Sequence, residues 1–304
     1  MIEYRGLHKA FDQPVLEGID LAVRTGERMA VVGPSGCGKS ILLKTTIGLV
    51  VPDRGDVLID GQSVFGSPNA LPAVLARVGY LFQQGALFDS MTVHENVAYG
   101  LAPAAARALG APEVTARVVR ALREVNLEPR SVLNKLPPDL SGGMRKRVGL
   151  ARAIVGRPEI LLFDEPVSGL DPVNRAAVLR LLRTLTSRLQ ATMVMVTTDV
   201  AAALELCGRV ALLHRGRLRF VGSPDEFARC QDPLVRAFAD RRYAESAAGA
   251  VLMEGLHAPR ADAGFSAGDR GRRRSFPATV DRTVAIRAKR TGAAVAGAHG
   301  GKEG

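Results

Sequence analysis

The chain has 304 residues, 47 % of them apolar, and a net charge of +11, enough for one large packed domain or two modest ones. No run of about 18 uncharged apolar residues occurs, which excludes a membrane-spanning helix within this sequence. An alternating strand-like pattern starts at Ile2 and is expected to leave no room for a secretory signal. Cys37, Cys207 and Cys230 are odd in number, far apart and without metal-ligand spacing, so neither a disulfide framework nor a zinc site is expected and a reducing compartment fits. About half of the positive excess lies in residues 241–304, which carry 12 Lys/Arg against 6 Asp/Glu. The remainder is a mildly basic, solvated surface.

In chain order, residues 2–32 are strand-like, most clearly at 15–23 and 28–32. A glycine-rich turn follows, then a helix over about 40–50. Pro52 and Gly55 punctuate a return to a strand at 56–60, and 78–82 reads as another short buried strand. From about 85 to 155 the pattern turns helical, an expected subdomain inserted in an α/β core. Thr92 and Glu95 have capping-box spacing, 114–127 carry apolar residues at helical intervals, and Ser141 caps a helix that Gly156 and Pro158 stop. The core resumes with a strand at 160–163, a helix at 173–190 with Val178, Leu182, Leu185 and Leu189 on one face, and a strand at 192–197. Residues 210–213 and 218–221 form a hairpin through Arg215 and Gly216. Ser223, Pro224 and Glu226 start C-terminal helices expected over about 224–242. Residues 243–304, rich in Ala, Gly and Arg without a sustained period, are expected to form a disordered basic tail.

The chemistry concentrates in three motifs. Gly33, Pro34, Ser35, Gly36, Cys37, Gly38, Lys39 and Ser40, between a strand and a helix, fit the phosphate-binding loop. Its glycines let backbone N–H groups turn inward around phosphate oxygens. Lys39 supplies a point charge and Ser40 a hydroxyl for Mg²⁺. A glycine-rich turn with a chance lysine is the bland alternative, and the correct flanks weigh against it. The buried strand ending in Asp164 and Glu165 puts one carboxylate near a Mg²⁺ shell and the other near an attacking water. Between them, Leu140-Ser141-Gly142-Gly143-Met144 opens a helix whose free N–H groups make a second anion site.

This third motif resembles the signature sequence of ATP-binding-cassette (ABC) proteins, and the resemblance extends over about residues 2–242, the expected domain 1–242. It implies an α/β P-loop NTPase cassette with a RecA-like core, an antiparallel β subdomain and a helical subdomain. It also implies that Ser141, Gly142 and Gly143 contact the γ-phosphate held by an opposite cassette, so that sites form when two copies clamp head-to-tail. By the same resemblance Phe11 stacks on adenine, although from sequence a core phenylalanine is nearly as good a reading. Gln83 senses Mg²⁺ and the lytic water and leads into a permease-facing surface. Asp171, in Ser168-Gly169-Leu170-Asp171, belongs to the loop that crosses the dimer interface. The implied cofactors are ATP and Mg²⁺, the latter near Ser40, Gln83 and Asp164. The implied partners are a transmembrane permease and a second cassette, with the chain peripheral on the cytoplasmic face of an inner membrane.

Residues 81–88 and 91–99 look like the corresponding region of Mla/Mce-type phospholipid transport ATPases. So do 140–154, where Met144 replaces the usual glutamine, and 232–238. That similarity implies a lipid cargo and a lipid-binding Mce-type partner. The family places a histidine where Val196-Thr197-Thr198-Asp199 puts Thr198. Losing one charge-assisted hydrogen bond costs about 1.5–3 kcal/mol, or roughly 10- to 100-fold in rate, unless Thr197 compensates. Slow hydrolysis with Glu165 as base is therefore expected. The competing reading is an ATP-gated clamp that hydrolyses little. A soluble ABC protein acting on nucleic acid has only the basic tail, with Arg270 and Arg272 to Arg274, in its favour. No specific nucleic acid is expected as a partner.

Overall fold

The computed structural model describes residues 1–67, 70–83 and 85–240. The expected tail over 243–304 lies outside them. Strands β1 (Ile2–Ala10) and β2 (Pro14–Val23) alternate buried and exposed residues, so their hairpin packs one face and wets the other. β3 (Arg28–Val32) has no wet face and runs through the glycine-rich loop into α1 (Lys39–Thr46). The helix ends short of residue 50, because Ile47 leaves helical geometry and the chain turns at once. β4 (Arg54–Ile59) pairs with β1, and β5 (Gln62–Ser63) with β4, completing an antiparallel sheet of order β2-β1-β4-β5. α2 (Ala70–Leu75), which has no counterpart in the sequence reading, leads to β6 (Val78–Leu81).

A helical stretch follows. α3 (Val93–Ala98) starts at the Thr92–Glu95 capping box, with both reciprocal hydrogen bonds formed. α4 (Pro103–Glu124) breaks at Gly110 (φ 73, ψ 164), and α5 (Pro129–Val132) is one turn. α6 (Gly142–Ile154) starts at Ser141, whose hydroxyl accepts from the Met144 N–H. The chain then runs through β7 (Ile160–Asp164), α7 (Pro172–Leu189), β8 (Thr192–Thr197) and α8 (Val200–Leu206). The hairpin of β9 (Arg209–His214) and β10 (Arg217–Gly222) follows, then α9 (Pro224–Arg229) and α10 (Pro233–Ala239). No helix among the described residues is long and apolar enough to cross a membrane.

The second sheet has the order β10-β9-β3-β8-β7-β6 and is parallel apart from the β9–β10 hairpin. Its central strands are buried on both faces. Val31, Leu162 and Val194 face one core, while their neighbours Ala30, Leu161 and Met195 face another. That is why these strands read as unbroken apolar runs. The register sets Val32 beside Thr197 and Asp164 beside Val196. The carboxyl ends of β3, β8 and β7 therefore emerge together, the position at which parallel sheets build ligand sites.

Candidate functional site

The loop after β3 approaches its neighbours too closely for side chains. A Cβ on Gly33 would stand 2.1 Å from the Leu213 carbonyl oxygen, and one on Gly38 (φ 105) 2.8 Å from that of Val15. Pro34, Ser35, Gly36 and Cys37 complete the turn, and burial pushes the Cys37 thiol up. Lys39 is buried. Its Nζ donates to the carbonyls of Gly33 (2.9 Å) and Pro34 (2.8 Å) and lies 3.8 Å from Glu165 Oε1. The cation is thus held at the loop by groups that phosphate oxygens can replace.

Next to it, the Ser40 hydroxyl donates to Asp164 Oδ1 at 2.7 Å. Tyr80, which sequence reasoning did not single out, donates its hydroxyl to Asp164 Oδ2 at 3.3 Å. Glu165 is the residue after β7 and takes φ 49, the left-handed region that non-glycine residues seldom adopt. Its Oε2 accepts from the hydroxyls of Thr197 (3.1 Å) and Thr198 (3.4 Å). Two threonines and one ammonium thus orient a buried carboxylate.

Ser40 and Asp164 offer hard oxygen ligands in contact with each other. No cluster of three or more His, Cys, Asp or Glu able to cage a metal occurs among the described residues. Mg²⁺ is commonly held by one or two protein oxygens plus phosphates rather than by a protein cage, and this donor pair fits that manner of binding.

A second group lies apart from the first. Ser141, Gly142 and Gly143 line an open cleft of about 610 Å³ together with Gln83, Ser168 and Asp171. Gln83 is exposed, two residues beyond the end of β6. Asp171 caps α7, accepting from the N–H groups of Val173 (3.1 Å) and Asn174 (3.0 Å), and these bonds hold its carboxyl below the usual range. Lys146, given no separate role from sequence, donates from α6 to the carbonyls of Pro166 (3.3 Å) and Ser168, tying the cleft's helix to the loop after Glu165. Phe11 is 60 % exposed on the β1–β2 turn, with the Lys9 ammonium 5.3 Å from its ring centre. The core reading of Phe11 is overturned, because the turn carries the ring clear of both sheets.

The Thr197–Thr198 segment is anchored by Asp199. Its N–H donates to Thr197 Oγ1 (3.0 Å), its carboxylate caps α8 at Ala202 (2.8 Å), and Arg175 grips both oxygens at 2.6 and 2.9 Å. Partial burial raises the Asp199 pKa, but Arg175 and the Ala202 N–H more than offset this, leaving it below the ordinary carboxylate value. A depressed folded pKa gives stability that is full above the unfolded value, about 3.9, and lost as pH falls through the folded one. Asp199→Asn is therefore expected to lower unfolding stability by about 1.5–3 kcal/mol at pH 7. The gap to the wild type should begin to close below about pH 4 and narrow further as pH falls through the lowered Asp199 value. Urea titrations at pH 7 and pH 3 with equal gaps would rule this ion pair out as the cause.

A phosphate loop at the end of a central parallel strand, an acid pair on the adjacent strand end and a second helix-start cleft define a P-loop nucleotide-binding cassette. Residues 16–168 match the family model described as ABC transporter. The chain belongs to the ABC transporter family. It is 42 % identical over 227 residues to the sulfate/thiosulfate import ATP-binding protein CysA of Caulobacter vibrioides, covering 74 % of this chain and 65 % of that protein. To the probable ribonucleotide transport ATP-binding protein mkl of Mycobacterium leprae it is 37 % identical, over 79 % of this chain and 69 % of the relative. The chain thus spans less than two-thirds of the length of the Caulobacter protein. Among solved structures, the dimeric bacterial ABC transporter cassette MJ0796 superposes with a TM-score of 0.68 at 29 % identity, covering 74 % of this chain and 99 % of the cassette. The same cassette in a post-hydrolysis state with ADP and Pi gives 0.67, at the same identity and coverage.

Proposed function

We propose that this chain is the ATP-binding and ATP-hydrolysing subunit of an ABC transporter, peripheral on the cytoplasmic face of a membrane and paired with a permease and a second cassette. The observation that carries the reading is the convergence of Lys39, Ser40, Asp164 and Glu165 at adjoining strand ends. The N–H groups of 33–40 and the Lys39 ammonium bind the outer phosphates, and Phe11 offers an exposed face to adenine. Ser40 and Asp164 would hold Mg²⁺, with Gln83 completing its surroundings, and the ion would neutralise charge that develops on the phosphates. Glu165 accepts a proton from water as the water oxygen attacks the γ-phosphorus and the bond to the ADP oxygen breaks. Ser141, Gly142 and Gly143 of a second copy cover the γ-phosphate, and Asp171 lies on the loop between copies. The dimeric state of the superposed cassette supports that pairing.

For the cargo we favour phospholipid or a related lipid moved across a bacterial envelope, with a lipid-binding Mce-type protein in the complex. This rests on the resemblance of 81–88, 91–99, 140–154 and 232–238 to Mla/Mce-type ATPases. The relatives described above carry the names of sulfate/thiosulfate and ribonucleotide transport, so the cargo reading stands on those stretches alone.

Thr198, in place of the family's histidine, is expected to slow hydrolysis. In the purified permease complex, Thr198→His should raise MgATP turnover roughly 10- to 100-fold, and phospholipid vesicles should stimulate it where sulfate and ribonucleotides do not. Tight ATP binding with no turnover in either form would replace the motor by an ATP-gated clamp. Stimulation by one of the polar solutes would remove the lipid cargo while leaving the motor intact.

A further inference from the structure

Arg152 is 8 % exposed near the end of α6, and no carboxylate pairs with it among the described residues. A buried guanidinium cannot lose its proton and must find acceptors. Arg152 finds them in a single segment, donating to the carbonyls of Gly85 (2.5 Å) and Ala86 (2.8 Å), two and three residues beyond Gln83. Both residues are left-handed, Gly85 at φ 78 and Ala86 at φ 43. For alanine that conformation is uncommon and persists only where the surroundings impose it. The backbone also packs tightly on both sides of this contact. A Cβ on Gly149 of α6 would stand 3.1 Å from Gly85 Cα, and one on Gly100 2.0 Å from the Arg152 carbonyl oxygen. At its other end the same helix opens the cleft at Ser141 and reaches the 166–168 loop through Lys146.

We infer that Arg152 is a positioning residue: its two hydrogen bonds hold the strained 85–86 turn on α6, so that Gln83 keeps a fixed place relative to Ser141 in the cleft. The inference rests on the proposed ATPase role of that cleft only for its kinetic consequence. The structural part stands without it. Arg152→Lys keeps the charge and most of the stem, but a single ammonium lacks the planar fork that reaches two neighbouring carbonyls. Arg152→Met, of similar length, removes both bonds.

Hydrogen–deuterium exchange on the full chain tests the structural part. Amides of 85–88 should exchange at least about tenfold faster in Arg152→Met than in the wild type, with Arg152→Lys between them, while amides of 33–40 keep their rates. Steady-state turnover tests the consequence: kcat should fall about tenfold in Arg152→Met with KM for ATP unchanged. Unchanged exchange at 85–88 in both variants overturns the inference. So does faster exchange spread evenly through 93–154, which would mark Arg152 as a packing residue of the helical stretch. Faster exchange confined to 85–88 in Arg152→Met, beside a wild-type chain without turnover, upholds the inference and removes the ATPase reading instead.

Discussion

Glu165→Gln is expected to lower MgATP turnover by about 10²- to 10⁴-fold, the usual worth of a positioned general base, while nucleotide affinity stays within a few-fold of the wild type. The replacement is nearly isosteric. The glutamine carbonyl oxygen can accept from Thr197 and Thr198 as Oε2 does at 3.1 and 3.4 Å, so the left-handed turn at residue 165 has no reason to move. The lost properties are the negative charge and the ability to take a proton. Binding is spared because Lys39 is held chiefly by the Gly33 and Pro34 carbonyls, and Glu165 stands farther away at 3.8 Å. Removing that carboxylate also removes a charge that opposes incoming phosphate. Phosphate release and equilibrium binding of a fluorescent ATP analogue, measured on the same complex, separate the two effects. Turnover within threefold of the wild type would mean that the base lies elsewhere. A parallel collapse of binding would mean that Glu165 is structural.

The parts of the fold legible in the sequence are those whose causes are local. β8 occupies 192–197, as its apolar run implies, and the capping boxes at Thr92 and Ser223 form with both reciprocal bonds. The phosphate loop and the two strand-end acids are legible because backbone chemistry fixes their spacing. α2 and α8 are not, since each is shorter than two turns and α8 opens on an alanine run with no apolar period. Its cap, Asp199, follows two threonines that read as strand. Contacts across long separations leave no local pattern at all. Tyr80 meets Asp164 across 84 residues and Arg152 meets Gly85 across 67. Phe11 shows the same limit from the other side, because whether an aromatic at a strand end enters the core depends on where the turn points.

The largest stability effect is expected at another residue invisible to pattern reading. Asn96 lies on α3 between Glu95 and Val97 and is fully buried. Its Oδ1 accepts from the Phe88 N–H at 2.8 Å, and its Nδ2 lies 2.9 Å from the Met91 carbonyl, 3.1 Å from that of Phe88 and 3.1 Å from that of Thr92. The amide thus stands in for a missing strand partner and closes the 88–92 turn. Asn96→Leu matches the shape but leaves the Phe88 N–H and the Met91 carbonyl without their protein partner, at roughly 1–3 kcal/mol for each buried unpaired group. A loss of about 2–4 kcal/mol in urea unfolding, with the m-value unchanged, is expected. A loss below about 0.5 kcal/mol, typical of an unconstrained surface site, would mean that water replaces the amide and that the turn is wet. The turn begins two residues after Ala86, so Asn96 and Arg152 hold adjoining parts of one segment. Asn96→Leu should therefore speed amide exchange at 88–92 without the stepwise dependence on side-chain chemistry expected between Arg152→Lys and Arg152→Met. A buried apolar replacement cannot restore part of a bond, whereas a shorter cation can.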